Sequence, residues 1–215
     1  MRVVLLGPPG VGKGTQGHRL ADEHGWALIS TGEILRAAVA QGTPLGLEAR
    51  KRMDRGLLVP DDVMIGLVWE RTLAPDAASG FVLDGFPRTV VQADALDSML
   101  QGRGFHLDRV VAMSVAEEEL VRRLSSRREC PVCKRVYNMK SLAPMDGSRC
   151  DDHPEAGLVQ RADDTESTIR RRFQVYWDET APLFDYYRNQ GRLCEVPGAG
   201  PMDEVYRALT VALGC

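Results

Sequence analysis

The stretch LLGPPGVGKGTQ, residues 5–16, decides how the rest of the chain is read. The ordinary phosphate-loop pattern, G-x-x-x-x-G-K-[ST], places a hydroxyl directly after the lysine, where it ligates magnesium. Here Gly14 follows Lys13, and Thr15 comes one place late. The stretch is entered from an apolar run, Val3 to Leu6, and left through helical spacing over Gly14 to Glu23. In the order strand, glycine turn, helix, backbone N–H groups converge on one point and the positive end of the helix faces it. Glycines that only tighten a turn would not require a lysine. Lys13 is one of four lysines against twenty-three arginines, so a compact ammonium stands where a point charge must enter a loop.

Composition narrows the possible partners. A chain of 215 residues, 44% hydrophobic and 27% charged with a net charge of −3, can bury one core, with room for insertions. It has no broad basic field of the kind that binds nucleic acid or a membrane surface. The N-terminus lacks the pattern of a signal peptide and no segment is long enough to span a bilayer, so the expected location is cytoplasmic.

Short apolar runs recur at Val3–Leu6, Ala27–Ile29, Phe81–Leu83, Val110–Val115 and Leu193–Val196, separated by helical segments such as Asp61 to Leu73. That alternation predicts an α/β fold with a parallel sheet covered on both faces and a ligand site beyond the carboxyl ends of its strands. Two segments break the rhythm. Residues 30–60 are helix-like with no strand candidate, and residues 122–164 have few apolar faces and are too long for a plain loop.

The second chemical stretch is FVLDGFPRTVVQ, residues 81–92. A buried strand ending in Asp84 puts a carboxylate at the sheet edge, where it can hold magnesium-bound water near phosphates. Arg88 can grip a phosphate bidentately, and Gln92 offers both a donor and an acceptor to the edge of a base. In STGEILRAAV, residues 30–39, Thr31 is placed to cap a helix and Arg36 to meet an anion one turn in. Any one of these residues alone would be an ordinary turn or surface group.

Together they carry a resemblance. G-x-P-G-x-G-K-G-T (Gly7 to Thr15), ISTGEILR (Ile29 to Arg36) and DGFPR (Asp84 to Arg88) resemble the adenylate kinase family of nucleoside monophosphate kinases, collinearly along nearly the whole chain. In that family magnesium sits mostly among waters and phosphate oxygens, so the displaced hydroxyl is not damage. The resemblance implies a P-loop nucleoside monophosphate kinase fold with a five-stranded parallel sheet, a helical AMP-binding insertion and a zinc-ribbon-like lid. It implies transfer of a phosphoryl group from MgATP to AMP, giving two ADP. ATP would meet Gly10, Val11, Gly12, Lys13, Gly14 and Thr15; AMP would meet Thr31, Arg36, Gly85, Arg88 and Gln92, with Leu57, Leu58 and Val59 lining the base pocket.

Cys130, Cys133, Cys150 and His153 form two C-x2-[CH] knuckles sixteen residues apart, a spacing that lets two turns supply four ligands to one tetrahedral Zn²⁺. A closed four-ligand site leaves no position for substrate, so the metal would stabilise the segment. A zinc ribbon reading nucleic acid is disfavoured by the surrounding Asp146, Asp151, Asp152 and Glu155. The module resembles the zinc-bearing lid of long-form bacterial members of the family. The fourth ligand there is often Cys or Asp; here it is His153, with Asp151 and Asp152 beside it. Cys194 and Cys215 lie outside the module and read as ordinary free cysteines.

Arg123 and Arg127, four apart, are expected on one face of the helix entering the lid. Spacing alone does not choose among the many arginines; the resemblance selects Arg123, Arg127, Arg161 and Arg172 as phosphate ligands. It also sets Val136 and Tyr137 on the ATP side, and Gly200 near adenine. The resulting boundaries are a core of residues 1–29, 60–126 and 165–215, an AMP-binding segment 30–59 and a lid 127–164, in a monomer. The competing readings are a GTP-using or UMP/CMP-type relative, and a non-catalytic nucleotide-binding zinc module.

Overall fold

Val3, Val4, Leu5 and Leu6 are all buried, as a strand covered on both faces requires. In a computed structural model that describes residues 1–215, they form β1 (Arg2–Leu6) at the middle of a five-stranded sheet. The chain continues through α1 (Lys13–His24), β2 (Ala27–Ser30), α2 (Thr31–Ala40), α3 (Pro44–Met53), α4 (Asp61–Thr72), β3 (Phe81–Asp84) and α5 (Val90–Gln101). It then runs through β4 (Arg109–Ser114), α6 (Glu117–Ser125), β5 (Arg127–Glu129), β6 (Val136–Asn138), α7 (Glu166–Val175), α8 (Pro182–Asn189), β7 (Leu193–Pro197) and α9 (Met202–Leu213). All five expected strands are present, in the order β2-β3-β1-β4-β7, and all their pairings are parallel.

Strand side chains alternate between the two faces. Val4, Leu6 and Leu83 pack on one side with Leu96 from α5 and Leu183 from α8. Val3, Leu5 and Val82 pack on the other with Leu20 from α1 and Leu209 from α9. A third cluster joins Val11 of the loop after β1 to Met113, Leu124, Ile169 and Phe173, so the turn that carries Lys13 rests on buried apolar support. No helix is long and apolar enough to cross a membrane.

The first irregular segment is helical, as its spacing predicts. Thr43 caps α3 by accepting the Gly46 N–H at 3.0 Å, with Pro44 in the first turn. Thr31, in contrast, does not cap: it lies inside α2, after Ser30, and its Oγ1 donates to the Gly85 carbonyl at 2.9 Å. The hydroxyl therefore ties α2 to the end of β3 instead of closing its own helix.

The second irregular segment holds the short antiparallel pair β5-β6. Its buried cluster is only Cys130, Tyr137, Cys150 and Ala156, with Leu158 alongside, too small a core to order some forty residues by apolar burial. Arg127 departs from the expectation of a shared helical face with Arg123. Helix α6 stops at Ser125, where Ser126 Oγ turns back on the Arg122 carbonyl at 2.7 Å, and Arg127 begins β5. The two arginines thus reach the site from different elements.

Helices α2 and α3 meet closely at Gly46, where an added Cβ would lie 2.1 Å from the Ala38 carbonyl oxygen. Overpacking of this kind costs roughly 1–3 kcal/mol. Gly46→Ala is expected to separate α2 from α3 and lower stability by that order, measured by chemical denaturation.

Candidate active site

The β1–α1 turn joins the central strand to α1, and its glycines are conformational requirements. Gly12 has φ 109° and ψ 10° immediately before α1, a left-handed geometry that a side chain would resist. Gly7 has φ +147°, and a Cβ there would come within 2.6 Å of the Met113 carbonyl oxygen. The Lys13 ammonium folds back into the loop and donates to the carbonyls of Gly7 at 2.7 Å and Pro8 at 3.0 Å.

Asp84 closes the other side. A Cβ on Gly14 would lie 3.4 Å from Asp84 Oδ2, an ordinary van der Waals contact, so the residue after Lys13 packs directly beside the carboxylate. The Asp84 carboxylate accepts no hydrogen bond from the protein, while its neighbour Arg88 donates Nε–H to the Gly85 carbonyl at 2.8 Å. An unpartnered carboxylate beside a phosphate loop suits a hydrated divalent cation.

A second cleft opens to solvent between the sheet edge and α2. Thr31, Arg36, Leu57, Leu58, Val59, Gly85, Arg88, Gln92 and Arg172 all line it, although they come from four separated parts of the chain. Gln92 is buried, its Oε1 accepting the Arg88 N–H at 2.7 Å and its Nε2 donating to Asp61 Oδ1 at 2.7 Å. The amide is thereby fixed in orientation, with one N–H remaining.

Cations gather between the loop and the cleft. Burial pushes Lys13 down from 10.5 to about 8, opposed by Asp84 and reinforced by Arg88, Arg172 and Arg127. Burial likewise brings Arg172 down to about 10, with Asp163 and Asp164 opposing and Arg127 and Arg88 reinforcing. Arg88 and Arg36 are also lowered by burial. Buried carboxylates hold this group together. Asp164, with its side chain fully buried, takes a two-pronged contact from Arg127 at 2.7 and 2.6 Å and one from Arg172 at 3.2 Å. Arg123 is held by Glu119 at 2.8 Å and donates to the Gly198 carbonyl at 3.2 Å, and Arg161 pairs with Glu129.

These carboxylates are the functional residues that sequence reading missed. Asp163 and Asp164 stood out only as an acidic pair, and nothing in the linear order matched Glu129 to an arginine thirty-two positions away.

Cys130, Cys133, Cys150 and His153 converge, their ligand atoms all within 4.8 Å of one another. Cys133 Sγ and Cys150 Sγ are 3.6 Å apart, and Cys150 Sγ lies 3.8 Å from His153 Nδ1. Tetrahedral ligands at about 2.3 Å from a metal are spaced by about 3.8 Å, so the set fits a four-coordinate ion. Asp151 and Asp152 are occupied elsewhere, Asp151 accepting the Met145 N–H at 2.8 Å and Asp152 pairing with Arg135 at 2.8 Å. The Tyr137 ring is buried in the lid and its hydroxyl engages Cys150 and Asp151, leaving only its backbone to meet a ligand. Alternation along β6 turns Tyr137 inward, while Val136 is left exposed. Gly200 is exposed near the start of α9, and Cys194 lies in β7.

A phosphate loop at the central strand, a facing cleft with its own arginines, and cations gathered between them define a P-loop phosphotransferase with two facing sites. A family model described as adenylate kinase matches residues 5–192. Curated relatives named adenylate kinase include those of Syntrophobacter fumaroxidans, 49% identical with both chains covered completely, and Trichlorobacter lovleyi, 49% identical with 99% of each covered. Another, from Archaeoglobus fulgidus, is 46% identical over 99% of this chain and 98% of its own. The chain belongs to the adenylate kinase family.

The position of Lys13 predicts a pH effect. Its folded value is depressed, so the penalty for charging it in the ligand-free fold is fully present below pH about 8 and is relieved as pH rises toward 10.5. Phosphates would favour the charged form, so nucleotide polyphosphate binding takes up a proton above pH about 8. Titration calorimetry should find affinity falling from there upward, and Lys13→Met should remove that slope.

Proposed function

We propose that the chain transfers a phosphoryl group reversibly from MgATP, held at the Gly7–Thr15 loop, to AMP in the facing cleft, giving two ADP. The observation that carries the reading is a pair of opposed anion sites sharing one set of buried arginines. A single-nucleotide switch would need only the first. A non-catalytic zinc module would not need Arg36, Arg88 and Arg172 around a second site.

The division of labour follows from chemistry and position. Gly10, Val11, Gly12, Lys13, Gly14 and Thr15 hold the ATP phosphates, with Val136, the backbone of Tyr137 and Gly200 on its nucleoside side. Thr31, Arg36, Gly85, Arg88 and Gln92 hold AMP, whose base enters between Leu57 and Val59. Asp84 orients water on the magnesium that accompanies ATP. In-line transfer spreads charge over the moving phosphoryl oxygens, so prearranged cations supply most of the catalysis and no protein nucleophile is required. Lys13, Arg88, Arg123, Arg127, Arg161 and Arg172 are those cations.

Residues 30–59 and 127–164 act as closing segments around the core of 1–29, 60–126 and 165–215. Closure over both nucleotides excludes water that would otherwise hydrolyse ATP. The Cys3His set holds zinc. A bound ion would cross-link the two knuckles of a segment whose apolar cluster is too small to do so.

Two measurements test these assignments. MgATP mixed separately with AMP, GMP, UMP and CMP should give ADP only with AMP, and Arg88→Ala should lower turnover with AMP by about a hundredfold or more. Transfer to a different acceptor would correct the substrate, and none at all would favour the binding module. Removing the metal with a chelator should lower the Tm, and zinc should restore it. Unchanged stability in metal-free protein would refute the structural role.

A further inference from the structure

Glu129 ends β5 and is only 7% exposed. Its backbone is fixed by a reciprocal pair with Val159, N–H to carbonyl in both directions at 2.8 and 2.9 Å. Its side chain does not pack as an apolar residue at that place would. Oε2 accepts from Arg161 Nε at 2.6 Å and also contacts Nη2. Two of the three guanidinium nitrogens are thereby engaged, and Nη1 has no protein partner.

Opposite stands Arg36 on α2, which makes no hydrogen bond to protein. Its charge is disfavoured by burial and then by Arg161, while Glu129 and Asp163 favour it. Glu129 thus sits close to two arginines that come from opposite sides of the cleft. A carboxylate in such a place lowers the positive potential available to a nucleotide, so it weakens anion binding in the ground state. Its compensating effect is orientation. A guanidinium held along one edge has lost most of its rotational freedom before any phosphate arrives.

We propose that Glu129 is a positioning residue for phosphoryl transfer: it clamps Arg161 through Nε and Nη2 and so reserves Nη1 for phosphate oxygens. The proposal rests on the reading of Arg161 as a phosphate ligand. It extends that reading by assigning a function to a lid carboxylate outside the nucleotide and metal sites. A pair that merely fastened β5 to the end of the lid would have a different signature.

The test uses full-length, metal-loaded protein carrying Glu129→Gln, Glu129→Ala, Arg161→Ala, or the double substitution to alanine. Steady-state kcat and KM for ATP and AMP are measured beside Tm and zinc content. Glu129→Gln and Glu129→Ala should lower kcat about tenfold while leaving both KM values unchanged or reduced, because the cage becomes one charge more positive as its geometry loosens. Glu129→Gln should keep the Tm and metal content of the parent, and Glu129→Ala should add nothing to Arg161→Ala. Unaltered kcat in both Glu129 variants, or losses that track Tm and zinc, would overturn the proposal while an impaired Arg161→Ala upheld the site. Full activity in Arg161→Ala would overturn both together.

Discussion

Like charges repel most strongly where water is scarce, and this protein gathers Lys13, Arg36, Arg88, Arg127, Arg161 and Arg172 around one cleft. Everything else in the structure is arranged around that constraint. Burial lowers the proton affinity of Lys13 and Arg172, which means that the folded chain holds these charges at a cost. Such a cost is tolerable only if carboxylates divide the cations among themselves, and Asp164 does so for Arg127 and Arg172, Glu119 for Arg123 and Glu129 for Arg161. Removing one partner of a buried pair leaves the other uncompensated, so these acids and bases form one unit.

The sheet supplies the rigid side of that unit. β1 and β3 run parallel and adjacent, so their carboxyl ends deliver the glycine loop and Asp84 to the same edge. Thr31, entering α2 from the end of β2, is bonded across that edge to Gly85. The glycine loop and the facing cleft are therefore two sides of one short row of strand ends. Their separation is set by backbone pairing, which is much stiffer than any side-chain contact.

The lid is built on a different principle. With two three-residue strands and a four-residue buried cluster, it cannot rely on apolar burial, and it substitutes a compact knot of thiols and imidazole. The same segment carries Arg127 and Arg161, each paired with a carboxylate of its own. Stability and positioning are thus supplied locally.

Much of this was legible in the linear chain because the chemistry was local. Strand, glycine turn and helix lie within residues 2–24, Asp84 and Arg88 within one turn, and each cysteine knuckle within four residues. Local spacing misled where a boundary intervened. Arg127 was expected beside Arg123 on a helix that stops at Ser125, and Thr31 was expected to cap α2 but bonds to the Gly85 carbonyl. The sequence by itself determined the sheet, the phosphate loop and the fourfold ligand set, since each is specified by neighbours along the chain. Only the tertiary structure decided which carboxylate faces which arginine. Glu129 and Arg161 lie 32 positions apart and Arg127 and Asp164 37, and no propensity or period links either pair until the lid has folded back on its own base.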